Sequence, residues 1–137
     1  MSAVRPDVAS VVERGREVLT RVVDPAQPRL EVVFQGEGSH NSITFTSYWN
    51  ADVIPDHSGA LHGSAQGLFV MATGEFATWR ALGDAGFGQE DRYVAEGTVV
   101  FADHGDGPFE DLRGRHGRFR FEQYTDGTYV QWFTLAD

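Results

Sequence analysis

Glu75 and Trp79 are where chemistry is first expected in this chain. They lie in the run Gly74 to Ala81, and in an extended strand Glu75, Ala77, Trp79 and Ala81 share one face. Turned inward, that face sets a carboxyl group among aromatic rings. Desolvation there favours the neutral acid and fits it for general acid or base work near neutral pH. Two plainer placements compete. Glu75 adjoins the turn at Thr73-Gly74 and so falls at a strand end, or it pairs with an arginine such as Arg92. Trp79 and Trp132 are either packed core or a stacking wall for a ligand.

These residues belong to the stretch Gly59 to Gly83, which organises the chain. It reads as two strands folded back at Thr73-Gly74, the first with Gly59, Gly63, Ala65 and Gly67 on one parity. Glycine weakens a strand, so its repetition needs a cause: sharp curvature, or close approach of another group. Both suit a small closed barrel, and small residues opposite large aromatics favour a residual cavity.

Other candidate chemistry is weaker. His40, His57, His62, His104 and His116 form no metal-binding spacing, so no metal is expected; His40 and His57 fall near strand ends, and His62 is expected outward. Ser64, in H-G-S-A-Q-G, lacks the strand–turn–helix setting of a nucleophile elbow. The glycines of G-F-G-Q-E-D and G-D-G-P open no helix and mark turns rather than a phosphate cradle. Arg113, Arg115, Arg118 and Arg120 are expected to balance acids on a solvated face. The chain has no cysteine, which removes disulfides, thiolate metal sites and cysteine nucleophiles.

At 137 residues, 41% of them hydrophobic, the chain suits one domain with a real core, residues 1–137. Its net charge of −9 argues against nucleic acid and anionic membrane surfaces as partners. The N-terminus lacks a signal-type apolar core and no run is long enough to cross a bilayer as a helix, so the cytoplasm is the expected location.

In chain order, Val8, Val11, Val12, Val18, Leu19 and Val22 recur at three- and four-residue spacings, predicting a helix over Asp7 to Val23, started by Pro6 or Asp7 and stopped by Pro25. Residues 1–28 are thus helix and linker, with the helix packed on the barrel, plugging one end, or acting as a lid; residues 29–137 form the barrel. From Leu30 the period switches to two. Leu30-Val32-Phe34 runs into a turn or bulge at Gly36 and Gly38, and Ile43-Phe45-Ser47-Trp49 follows. Arg92 to Phe101 carries Tyr93, Ala95, Gly97, Val99 and Phe101 on one face, and Phe109 to Leu112 suits one short helical turn. A last hairpin turns at Asp126-Gly127. With a two-residue turn, Phe121 faces Trp132, and Phe119, Phe121, Gln123, Val130 and Trp132 point inward. A three-residue loop with Gly127 left-handed pairs Phe119 with Phe133 instead. The first pairing is preferred because it joins Phe121 and Trp132. The ligand-contacting residues follow from these parities: Trp49; Gly63, Gly67 and Phe69; Trp79; Tyr93 and Phe101; and Phe121, Gln123 and Trp132.

The runs G-A-L-H-G-S-A-Q-G, G-E-F-A-T-W, L-R-G-R-H-G-R-F-R-F-E and D-G-T-Y-V-Q-W resemble a small bacterial β-barrel family and, more distantly, the allene-oxide-cyclase-like and dirigent-like barrels. The resemblance spans residues 30–135 and leaves out the N-terminal segment. It implies a lumen holding a hydrophobic small molecule, and a group in which several members cyclise or isomerise reactive polyketide or lipid intermediates. It supplies no residue match to a cyclase site.

The expected fold is therefore mainly β: a single antiparallel closed barrel of seven or eight strands, allene-oxide-cyclase-like or lipocalin-like, with one N-terminal helix. The expected function is a cofactor-free cyclase or isomerase acting on a polyketide-like or lipid-like intermediate, with Glu75 as catalytic acid or base. A non-catalytic carrier or sensor of a hydrophobic ligand is the first alternative and a cone-shaped α+β pocket protein the second. A homodimer is compatible with either barrel reading.

Overall fold

A chain that alternates in and out from Leu30 onward has seven strands available after its N-terminal segment. Seven antiparallel strands cannot close a ring without one parallel pair, because direction must alternate all the way round. An eighth strand removes the conflict. The computed structural model, which describes residues 10–56, 58, 60–87 and 92–136, resolves it in that way. The strands are β1 (Val11–Asp24), β2 (Arg29–His40), β3 (Ile43–Pro55), β4 (Leu61–Val70), β5 (Phe76–Phe87), β6 (Tyr93–Gly105), β7 (His116–Gln123) and β8 (Thr128–Leu135). They pair in sequence order, and β1 closes on β8. A 3₁₀ turn, Gly107–Leu112, lies between β6 and β7 where a short helical turn was expected.

The predicted helix is not formed: its described part is β1. Valine and other β-branched residues favour strands, and the open ladders of β2 and β8 give the backbone of this segment partners on both sides. Val11 to Arg16 pairs with β8, and Val11 to Asp24 with β2. The barrel thus starts at Val11 rather than at residue 29. The expected starts at Pro6 and Asp7, like Gly59 and His57, lie outside the described residues. Val18 is an extra residue in the β1–β2 pairing, a bulge that switches parity so that Thr20 follows Glu17 on the inner face.

The alternation read from Leu30 onward gives β2, β3 and β6 one mostly apolar inner face each. Leu30, Val32 and Phe34 face in, as do Phe45, Ser47 and Trp49 of β3 and Tyr93 to Phe101 of β6. Gly36 and Gly38 are not a turn; they continue β2 opposite Ser47 and Phe45. Their role is close approach. A side chain at Gly36 would meet the Tyr129 hydroxyl at 2.6 Å, and one at Gly67 would collide with the Trp79 indole.

The last hairpin takes the register that was not preferred. Tyr124 N–H bonds Thr128 O and Gly127 N–H bonds Tyr124 O, at 2.9 and 3.0 Å, enclosing the three-residue loop Thr125-Asp126-Gly127. Gly127 has φ +88°, the left-handed residue such a loop requires. Phe119 therefore faces Phe133 and Phe121 faces Gln131. Tyr129, Gln131 and Phe133 point inward, while Val130 and Trp132 lie on the outer face of β8 opposite Glu122 and Arg120.

The lumen divides along its axis. One half is filled by Phe45, Phe69, Phe101 and Phe133, with Phe109 and Leu112 of the 3₁₀ turn as its plug. Phe109 stands 5.7 Å from Phe45 and 6.4 Å from Phe69, centroid to centroid. His40 ties this end together. It is 3% exposed, and its ring bonds Ser10 O at 3.0 Å and the Asp111 carboxylate at 2.9 Å. Desolvation works to raise the Asp111 pKa, but the His40 hydrogen bond and charge bring it below the usual value.

Candidate functional site

The other half of the lumen is lined by small residues where the first is packed with rings. Gly63 and Ala65 of β4, Ala81 and Gly83 of β5 and Ala95 of β6 form one wall. Glycine and alanine cannot reach the barrel axis, so an apolar cavity of about 350 Å³ remains. Its floor is aromatic. Phe34 stacks on Trp49 with centroids 4.0 Å apart, Phe121 meets Trp49 edge-on at 5.3 Å, and Trp79 completes the set 5.8 Å from Trp49. Its rim carries the polar groups. Glu17 accepts from Gln123 Nε2 at 2.8 Å and from Thr20 Oγ1 at 2.6 Å. Burial pushes the Tyr93 phenol up to about 12, so it stays protonated.

Beneath the floor lies a carboxyl group that the sequence did not reveal. Glu13, on the inner face of β1, is 1% exposed. It accepts hydrogen bonds from Tyr129 Oη at 2.5 Å and from Ser47 Oγ at 3.0 Å; Tyr129 Oη in turn accepts one from Trp49 Nε1 at 3.0 Å. Burial lifts the Glu13 pKa from 4.5 to about 7, and the hydroxyl donors hold it from rising further. Burial and the neighbouring Glu13 charge also push the Tyr129 phenol strongly upward. Gln131, opposite Glu13 on β8, lines the cavity. Its amide tempers the carboxyl without closing a hydrogen bond. Because Trp49 and Gln131 reach both the cavity and the Glu13 environment, they join the two.

Of the expected ligand-contacting residues, Trp49, Gly63, Trp79, Tyr93, Phe121 and Gln123 line the cavity. Four do not. The Trp79 indole covers Gly67, Phe69 and Phe101 are in the filled half, and Trp132 is half-buried on the outer face. Glu75 is also elsewhere. It stands half-buried in the β4–β5 turn, beside Gly107 at the plugged end, and accepts from Thr73 Oγ1. The turn backbone, Met71 N–H to Glu75 O at 2.9 Å, holds it there. Arg92 instead bonds Glu122, at 2.9 Å.

The arginine cluster splits: Arg120 pairs with Glu96 and with the buried Glu122 on the outer face, while Arg113 and Arg115 donate to the carbonyls of Gly105 and Ala136. His62 is outward and bridges Asp84 and Asp56, each at 2.7 Å, and these bonds raise its pKa. Among the described residues no three acidic or histidine side chains converge as a metal site, and no helix is long and apolar enough to cross a membrane. One available signal for Glu13 was Ser47, a hydroxyl among the inward positions of β3 that needed a partner. No family model, curated protein or solved structure matches this chain.

Proposed function

We propose that the protein binds a hydrophobic small molecule in the small-residue half of the lumen and acts as its carrier or sensor. The observation that carries this reading is the apolar cavity of about 350 Å³ above the Phe34–Trp49–Trp79–Phe121 floor. It lies within the size range of small-molecule pockets, roughly 300–1,000 Å³. The cyclase or isomerase reading has less support. Acid–base catalysis needs a titrating group within hydrogen-bond reach of the substrate. Glu75 is at the plugged end, Glu13 is under the floor, and Glu17 and Tyr93 stand at the rim. A cyclase working by confinement alone would use the same cavity.

Titration with the neutral fluorophore N-phenylnaphthylamine tests the binding reading. One saturable site with enhanced emission is expected, and Ala65→Phe should abolish it by filling the cavity while the circular dichroism spectrum stays that of the barrel. Absence of saturable binding, or unchanged binding in a folded Ala65→Phe variant, refutes it.

A further inference from the structure

The cavity wall has a charge and hydrogen-bond pattern narrower than hydrophobicity alone. Among the described residues lining it there is no arginine or histidine, and the chain has no lysine. Its wall carboxylate, Glu17, is engaged at the rim by Thr20 and Gln123, and a second carboxyl, Glu13, lies under the floor. A fatty-acid-like anion entering headfirst would meet the Glu17 carboxylate and no cation, and a buried carboxylate without a partner is costly.

Deep in the cavity, three side chains carry polar atoms. Trp49 Nε1 is bonded to Tyr129, and Trp79 Nε1, also sealed and unbonded among the described residues, lies against the Gly67 backbone. The third is Gln131, 2% exposed, with its Nε2 sealed and unbonded among the described residues. Glu13, directly across the β1–β8 pair, decides which way this amide stands. A carboxylate repels Oε1 and attracts Nε2, and the amide does lower the Glu13 pKa, as a nitrogen turned toward the carboxyl would. Oε1 is then the atom offered to the cavity.

We infer that Gln131 selects a neutral apolar ligand whose leading end donates one hydrogen bond: an apolar alcohol, seated with its hydroxyl on Gln131 Oε1. This rests on the cavity being the binding site. One acceptor atom satisfies one hydroxyl hydrogen. A ketone brings only an acceptor to it, and an ammonium brings three donors that a single oxygen cannot satisfy. The buried partner left unpaired by the wrong head group makes the preference about tenfold.

The experiment is displacement of bound N-phenylnaphthylamine by an eleven-carbon series in mildly alkaline buffer: undecanol, methyl nonyl ketone, undecane, undecanoate and undecylamine. Undecanol is expected to displace the probe about tenfold more tightly than the ketone or the alkane, with undecanoate weaker still. Gln131→Leu, close in size, should erase the preference for the alcohol over the ketone and the alkane, whatever it does to the affinity for the probe. The inference is overturned if the ketone or undecanoate matches the alcohol, if undecylamine binds most tightly, or if Gln131→Leu retains the preference. Should Gln131→Leu fail to fold, the ranking on the unaltered protein still decides. A probe that does not bind at all overturns the cavity reading itself, which the ranking alone does not touch.

Discussion

Replacing Glu13 by glutamine should change how stability depends on pH in a way few other substitutions here can. The carboxyl is 1% exposed, and its pKa moves from 4.5 in the unfolded chain to about 7 in the barrel. Below the lower value both states hold the proton, so the group is neutral in each and its contribution is at its best. Between the two values the native state keeps the proton and the unfolded chain releases it. Proton binding then favours the native state less and less as pH rises. Above about 7 both states are ionised and the barrel carries the whole cost of a buried carboxylate. At ~1.4 kcal/mol per pH unit, the gap between 4.5 and about 7 amounts to about 3 kcal/mol. Glu13→Gln keeps the shape and cannot ionise. Its carbonyl can accept from Tyr129, and the Ser47 hydroxyl can rotate to accept from the amide. Urea unfolding of both proteins, at about pH 4.5 and about pH 8.5, gives the stability difference between them at each pH. That difference should move by about 3 kcal/mol in favour of the variant on going to the higher pH, while titration of distant groups such as Asp56 and His62 cancels. A difference that stays constant to within about 0.5 kcal/mol would refute the reasoning, because Glu13 would then titrate alike in both states.

Two further outcomes follow from packing. Gly67→Ala places a methyl group into the Trp79 indole, so the ring must shift; a loss of roughly 1–3 kcal/mol in urea unfolding is expected, and no loss would mean that Trp79 does not sit where it is described. Gly127→Ala forces an alanine to φ +88° in the last loop; thermal unfolding should show a loss of about 1–2 kcal/mol, and a neutral result would argue for a different loop conformation.

The parts of the fold that were legible in the sequence are those where one face of a strand is mostly apolar. Phe45 and Trp49 alternate against Thr44, Thr46 and Asn50, and Tyr93, Ala95, Gly97, Val99 and Phe101 keep one parity free of polar side chains apart from the Tyr93 hydroxyl. Gly63 and Ala65 were legible as a cavity wall for a related reason: small residues on an inward parity leave space wherever no large neighbour fills it, as Trp79 does at Gly67. The register of the last hairpin was not legible. A one-residue change in loop length exchanges Gln131 for Trp132 as the inward residue, and the apolar bulk of tryptophan argues for the wrong choice. Loop geometry, fixed by Gly127, outweighed that preference.

The misread N-terminal strand and the missed carboxyl group have one cause. The inner face of β1 reads Val11, Glu13, Gly15, Glu17, an order that, taken alone, describes a solvent-facing surface. Period-two counting fails because the three inward positions that follow Val11 are charged or lack a side chain, and the leftover valines then match a helical stripe by default. Yet each of those inward residues has a structural reason. Gly15 is a glycine because the Gln35 carbonyl occupies the place of its side chain. Glu17 is held at the rim by Gln123. Glu13 is held under the floor by Tyr129 and Ser47. Two signs were present against the helix. Valine supplies five of the thirteen residues from Val11 to Val23, a β-branched density that disfavours helix. Antiparallel closure of a barrel also requires an even strand count, which the seven strands after Leu30 cannot meet. A polar inner face on the closing strand of an otherwise apolar barrel is therefore where a buried titrating group is best sought.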